Sequence, residues 1–189
     1  MRPRPRNTFA KLAVVGGCLA ALTAGGTALA ETPSDASGGA VFVPPPAPPK
    51  RAVIVDGRAI APTSAPTRVK RVIEAANRLV EKPYRYGGGH RLPWKLDKGY
   101  DCSGTVSWAL HGGGLLKRPL DSSSFLRWGQ AGPGQWITVY TRSSHAFVVI
   151  AGLRLDTSAA GDPSGLKGPR WRPTLRSTRG FKARHPAGL

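Results

Sequence analysis

The segment Tyr100-Asp101-Cys102-Ser103-Gly104 holds the residue types with the most chemistry at one place in the chain. A cysteine in the first turn of a helix faces unpaired backbone N–H groups and the positive end of the helix dipole. Both favour thiolate over thiol. Asp101 has the right side chain to cap that helix. A thiolate can attack a carbonyl carbon if a base lies within hydrogen-bond reach and the base is itself oriented by a third group. Free cysteine is also often a small buried hydrophobe. Position alone leaves both readings of Cys102 open.

Four histidines compete for the base. His111 lies nine residues beyond Cys102 on the same expected helix, so a rotation of about 100° per residue turns it to the opposite face. His185 sits in a proline-flanked tail and His90 in a glycine loop, and neither has a residue pattern that would position it. His145 opens the apolar run Ala146-Phe147-Val148-Val149-Ile150, and a strand can hold an imidazole in place. If Ala151-Gly152 is a two-residue hairpin turn, Ile150 pairs with Leu153 and Phe147 with Asp156. His145 and Asp156 then become diagonal neighbours on one sheet face. A turn of odd length would put Asp156 on the other face. Asp156-Thr157-Ser158 can alternatively form a turn that caps its own backbone.

These side chains need elements to carry them. Val69, Val72, Ile73, Ala76, Leu79 and Val80 recur at helical spacing from Thr67 onward, predicting an amphipathic helix that ends before Pro83. Gly87-Gly88-Gly89 marks a tight loop. A second helix is expected to start near Cys102, run through Leu110 and stop at Gly112-Gly113-Gly114. Trp136 to Tyr140, His145 to Ile150 and Leu153 to Thr157 have strand-forming residue types. The tail beyond Ala160 is rich in Gly, Pro and Arg, with Trp171 and Phe181 as its expected anchors. Helices followed by strands predict an α+β domain.

Pro83-Tyr84-Arg85-Tyr86-Gly87-Gly88, then Asp101-Cys102-Ser103-Gly104, then a strand-opening histidine and a polar residue about a dozen positions later resemble the NlpC-type cysteine peptidases. These are papain-like bacterial hydrolases that cut peptidoglycan stem peptides. The resemblance spans roughly residues 67–160 and implies a fold with N-terminal helices packed on an antiparallel β-sheet. It implies Cys102 as nucleophile, His145 as general base and Asp156 as its orienter. It also implies Tyr84 beside the sulfur, with Asp101 and Ser103 holding the amino end of the substrate. Two departures stand out. The family's His-Val-Gly-Ile run is replaced by His145-Ala146-Phe147-Val148, and its third polar residue, commonly histidine, is Asp156.

The ends of the chain and its charge complete the expectation. Residues 1–30 read as an export signal: Arg2, Arg4, Arg6 and Lys11 precede an apolar stretch that closes on Ala28-Leu29-Ala30. A retained anchor, or a lipoprotein cut before Cys18, is the alternative. Residues 31–66 read as a linker, with Pro44-Pro45-Pro46-Ala47-Pro48-Pro49 favouring extended geometry and Ala52 to Ile60 having the residue types of a short strand. Residues 67–189 then form the peptidase-like domain. Losing residues 1–30 removes four basic side chains and no acidic one, so the formal +18 becomes +14. It also removes Cys18 and leaves Cys102 without an intramolecular partner. The expected protein is a monomer, secreted or held at the cell wall, with stem peptides and the anionic wall surface as partners. Its basic residues are dispersed and no nucleic-acid module is present, so a dedicated nucleic-acid role is not expected. No metal or cofactor is needed. An amidase or acyltransferase using the same Cys-His pair, or a wall-binding module with an idle site, are the competing functions.

Overall fold

The computed structural model describes residues 51–189; the expected export signal and the first part of the linker lie outside the described residues. Among the described residues the chain opens with a hairpin, β1 (Val53–Val55) and β2 (Arg58–Ile60). Asp56-Gly57 makes its turn with φ of 47° and 74°, the double positive φ that Asp-Gly tolerates. Ala52, Ala59 and Ala65 are buried in the main core. The Ala52 N–H donates to the Ala151 carbonyl at 2.9 Å. The hairpin thus belongs to the folded body, and the expected linker of residues 31–66 is shorter by it. Small apolar side chains dock these residues, and the proline count around them masks that signal.

Helix α1 (Thr67–Asn77) buries Val69, Val72, Ile73, Ala75 and Ala76. It ends earlier than the spacing predicts, and Leu79 stays fully buried in the turns that follow. Asn77 explains the early stop. Its side chain exchanges hydrogen bonds with both backbone groups of Ala59, each at 2.9 Å, and also accepts from the Trp171 indole at 2.7 Å. Helix α2 (Cys102–Gly112) carries no charged side chain except a histidine, and it is buried from Ser103 to Leu110. A helix apolar all round belongs in the interior, and α2 packs between α1 and the sheet. A single turn, α3 (Ser122–Phe125), follows, capped by the Asp121 carboxylate.

The remaining strands are β3 (Gln130–Ala131), β4 (Ile137–Arg142), β5 (His145–Ile150), β6 (Leu153–Asp156), β7 (Arg170–Arg172) and β8 (Lys182–His185). They form one antiparallel sheet in the order β3-β8-β4-β5-β6-β7. The fold is therefore α+β, as expected, with two helices on one face of an antiparallel sheet. Ala146, Val148, Ile150, Leu153 and Leu155 point into the helix-covered core. Phe147 lies on the other face, where Tyr140 stacks on it at 5.1 Å and Phe181 meets it edge-on at 5.1 Å. The tail supplies two strands that the sequence reading left unassigned. Trp171 on β7 is buried in the core, and β8 is inserted between β3 and β4. Its Arg-rich composition hides this because the arginines are themselves buried or stacked: Arg172 is 1% exposed.

Candidate active site

Asp101 caps α2, accepting from the Gly104 N–H at 2.7 Å. The same carboxylate accepts from the Gly87 N–H at 3.0 Å, so it ties the glycine loop to the start of the helix. The backbone approach is close. A Cβ on Gly104 would collide with the Gly88 carbonyl, and one on Gly88 with the Gly99 carbonyl. Glycine at these positions is what lets the loop pack against the helix N-terminus and leave Cys102 at the edge of a cleft.

The hairpin joining β5 and β6 places the second group. Ile150 pairs with Leu153 and Val148 with Leu155. Ala151-Gly152 makes the turn with φ of 45° and 77°, a two-residue geometry that matches strand twist. His145 and Asp156 consequently share the sheet face opposite Val148. The His145 Nε2–H donates to Asp156 Oδ1 at 2.9 Å. Since Nε2 is engaged, the other ring nitrogen is left for the thiol, and the His145 imidazole and the Cys102 sulfur are close enough to shift each other's ionisation.

The electrostatics of the pair favour an ionised state. Burial pushes the Cys102 thiol up, but hydrogen bonds from the His145 ring and the Ala146 N–H outweigh it, and the pKa falls below the ordinary cysteine value. Burial pulls His145 down, yet its contacts with Asp156 and Cys102 raise it to about 9. Burial also works against charge on Asp156. Hydrogen bonds from His145 and the Ser158 N–H reverse that, and its pKa is lowered. The side chain of Asp156 is fully buried.

The tail reaches this centre. Arg176 Nη1 donates to Asp156 Oδ2 at 3.2 Å, and its guanidinium lies over the rings of Phe147 and Phe181 at 5.4 and 5.3 Å. Sequence reasoning missed Arg176, because nothing in the local pattern of residues 173–180 connects it to a carboxylate twenty positions earlier.

A cleft of about 540 Å³ opens beside the sulfur, lined among others by Tyr84, His90, Asp101, Cys102, Ser103 and Asp121. Tyr84 also borders a smaller recess of about 250 Å³ with His145 and Thr157. Its phenol pKa is raised, first by burial and then by the negative charge of Cys102, so the hydroxyl stays protonated and able to donate at neutral pH. His90 corrects the sequence reading, which gave it no positioning. Its Nε2–H donates to Asp101 Oδ1 at 3.0 Å, with Ser103 Oγ 3.3 Å from the same nitrogen. The bond to Asp101 raises the His90 pKa despite burial. The signal was available in the helix cap: a carboxylate buried at a helix start needs more than one donor. His111 stacks on Trp94 at 4.0 Å and His185 bonds to the Gly132 carbonyl. Among the described residues, no group of three or more His, Cys, Asp or Glu side chains is arranged to hold a metal ion.

The structure is an α+β fold in which a helix-borne thiol is set against an imidazole and a carboxylate on an antiparallel sheet. No family model matches the chain. Over 99 residues it is 34% identical to probable endopeptidases of Mycobacterium tuberculosis and Mycobacterium bovis, a match covering 49% of this chain and 24% of each relative. The chain thus spans about a quarter of the length of the curated relatives it matches. Among solved structures it is similar to the peptidoglycan hydrolase RipB of Mycobacterium tuberculosis, with 21% identity and a TM-score of 0.45 over 62% of this chain and 64% of that one. A hypothetical invasion protein of the same organism gives 21% and 0.44 over 62% and 61%. The relatives are named probable endopeptidases, the reaction class that the motif resemblance implies.

Proposed function

We propose that this protein is an exported peptidase of the bacterial cell wall that cleaves an amide bond in peptidoglycan stem peptides. The observation that carries the reading is the contact chain from Cys102 through His145 to Asp156 at the edge of an open cleft. The relatives named probable endopeptidases support the same reaction class, and the motif resemblance supports the substrate.

The chemistry follows from the charges. The Cys102 thiolate attacks the amide carbonyl carbon, and the carbonyl π electrons move onto oxygen. Backbone N–H groups at the start of α2 stabilise that developing oxyanion, and the Tyr84 hydroxyl is a further donor on the same cleft. Protonated His145 gives its proton to the leaving nitrogen as the C–N bond breaks, which leaves a thioester on Cys102. Neutral His145 then takes a proton from water, the hydroxide equivalent attacks the thioester, and the thiolate is released. Asp156 holds the ring with Nε2 protonated and stabilises the imidazolium, the role an aspartate plays in other triads. Asp101 and Ser103, on the cleft side of the sulfur, contribute to binding the amino end of the peptide. Residues 1–30 direct export, and the protein acts as a monomer.

The test is the full chain incubated with purified sacculi, with released fragments read by mass spectrometry. Stem-peptide fragments cut at one amide bond are expected, and none from Cys102→Ala, which should still bind the wall. Release that survives in Cys102→Ala would sink the thiolate mechanism. Fragments ending at the sugar–peptide junction would replace the endopeptidase by an amidase.

A further inference from the structure

The catalytic cleft has a charged neighbour that the mechanism does not use. Between Tyr84 and Asp101 the chain makes a long loop, and the loop encloses a second cleft of about 590 Å³ whose walls include Arg85, Arg91, Lys95 and Lys98. One acidic side chain, Asp97, lines it, and that carboxylate is committed to the backbone N–H groups of Gly89 and Lys98 at 3.2 and 2.8 Å. Among the described residues, none of the four cations forms an ion pair or donates a side-chain hydrogen bond to a protein group. Asp97 offsets part of the charge of Arg91 and Arg85; the remaining like charges around one concavity repel each other, and an anionic ligand relieves that repulsion.

The two clefts are joined. A crevice of about 140 Å³ runs from Arg85, Arg91 and Asp97 to Tyr86 and Gly87, and the last two also line the cleft that holds Cys102. Tyr86 stands at the seam with 94% of its surface exposed. Leu92 and Leu96 on the rim are exposed as well. The hydroxyl-rich cleft at the sulfur thus leads directly into a cationic one.

We infer that the Arg85–Lys98 loop is a second binding site, an annex that holds the carboxylates of the peptidoglycan strand whose scissile peptide lies at Cys102. This rests on the proposed function. Continuity with the catalytic cleft selects the occupant: a polymer threaded past Tyr86 presents carboxylates of its own neighbouring stem peptides to the four cations. A phosphodiester wall polymer would satisfy the charge but has no reason to follow the seam.

Binding is measured with the full-length Cys102→Ala chain and purified sacculi, across a range of salt. Arg91, Lys95 and Lys98 are changed together to Gln; Arg85 is spared because its aliphatic stem packs on Gly99. Affinity should fall about tenfold, as loss of several exposed charge contacts does, and its salt dependence should flatten. A charge-matched change of the exposed Lys117, Arg118 and Arg127 to Gln should weaken binding by no more than about twofold. Equal losses in the two triple variants would reduce the annex to bulk attraction and overturn it. Binding that disappears when phosphodiester polymers are stripped from the sacculi, or that survives methyl esterification of the peptide carboxylates, would also overturn it. Failure of the wild-type chain to release fragments, with the binding contrast intact, would sink the peptidase reading and leave the annex standing.

Discussion

His145 and Asp156 are joined by a 2.9 Å hydrogen bond across a hairpin in which neither is the other's directly paired residue. Asp156 lies two positions along from the residue opposite His145, so the contact is a diagonal one on a single face. A one-residue change in the Ala151-Gly152 turn would send Asp156 to the helix side of the sheet. The carboxylate's other oxygen is held by Arg176 from the tail.

The first expected outcome concerns pH. The Cys102 pKa lies below its ordinary value and that of His145 at about 9, so thiolate and imidazolium coexist between the two. The value of kcat/KM should rise as Cys102 ionises and fall near pH 9 as His145 loses the proton it must donate. The stability linkage has the matching sign. His145 is raised on folding, so its contribution is complete below the unfolded histidine value and is lost as pH rises through about 9. In Asp156→Asn the basic limb should move down toward the ordinary histidine value, with activity reduced by about 10²–10⁴-fold. A basic limb that stays in place would mean that Asp156 does not set the charge of His145.

Arg176→Gln removes a donor from a carboxylate that is fully buried. The expected loss is about 1–3 kcal/mol in urea unfolding, the usual size for a hydrogen bond to a charged group. Asp156 should then become easier to protonate, so the stability it contributes is lost at higher pH as the solution is acidified. Arg176→Lys should recover only part of this, since lysine cannot stack its charge flat on Phe147 and Phe181. A variant with unchanged stability and pH profile would show that the tail merely covers the sheet.

Gly104→Ala places a methyl group against the Gly88 carbonyl, which is backbone and cannot rotate away. Destabilisation of about 1–3 kcal/mol is expected from the forced shift. Activity should fall further than stability does, because the shift separates the glycine loop from Asp101. Thermal melts together with hydrolysis rates on the same sample separate the two effects.

A chain beginning at residue 67 lacks the β1–β2 hairpin. It exposes the core covered by Ala52 and Ala59, and it strips the Asn77 side chain of both bonds to Ala59. We expect it to be less stable by about 2–4 kcal/mol, combining lost burial with unpaired polar groups. A chain beginning at residue 51 keeps the hairpin and serves as the reference. Equal unfolding midpoints for the two would restore the hairpin to the linker.

Local chemistry made the centre of this site legible in sequence. A capping aspartate, a cysteine in the first helical turn and the glycines beside them are constrained by backbone geometry within a few residues. The His145–Asp156 pair was accessible for a related reason: a two-residue turn fixes a period-two register, and register fixes faces. The groups that escaped, Arg176 and His90, act through space. His90 stands eleven residues from Asp101 across an irregular loop, and Arg176 twenty residues from Asp156. No periodicity links either pair.

The sequence by itself therefore determined the place of Cys102 at a helix start, the strand that carries the imidazole and the face on which Asp156 lies, because each depends on short-range geometry. Only the tertiary structure decided that the β1–β2 hairpin docks on the core, that the tail supplies β7 and β8, and that its arginine closes over the buried carboxylate. Those outcomes depend on which distant surfaces are left to bury and which buried charges still need partners. Neither quantity exists until the chain has folded.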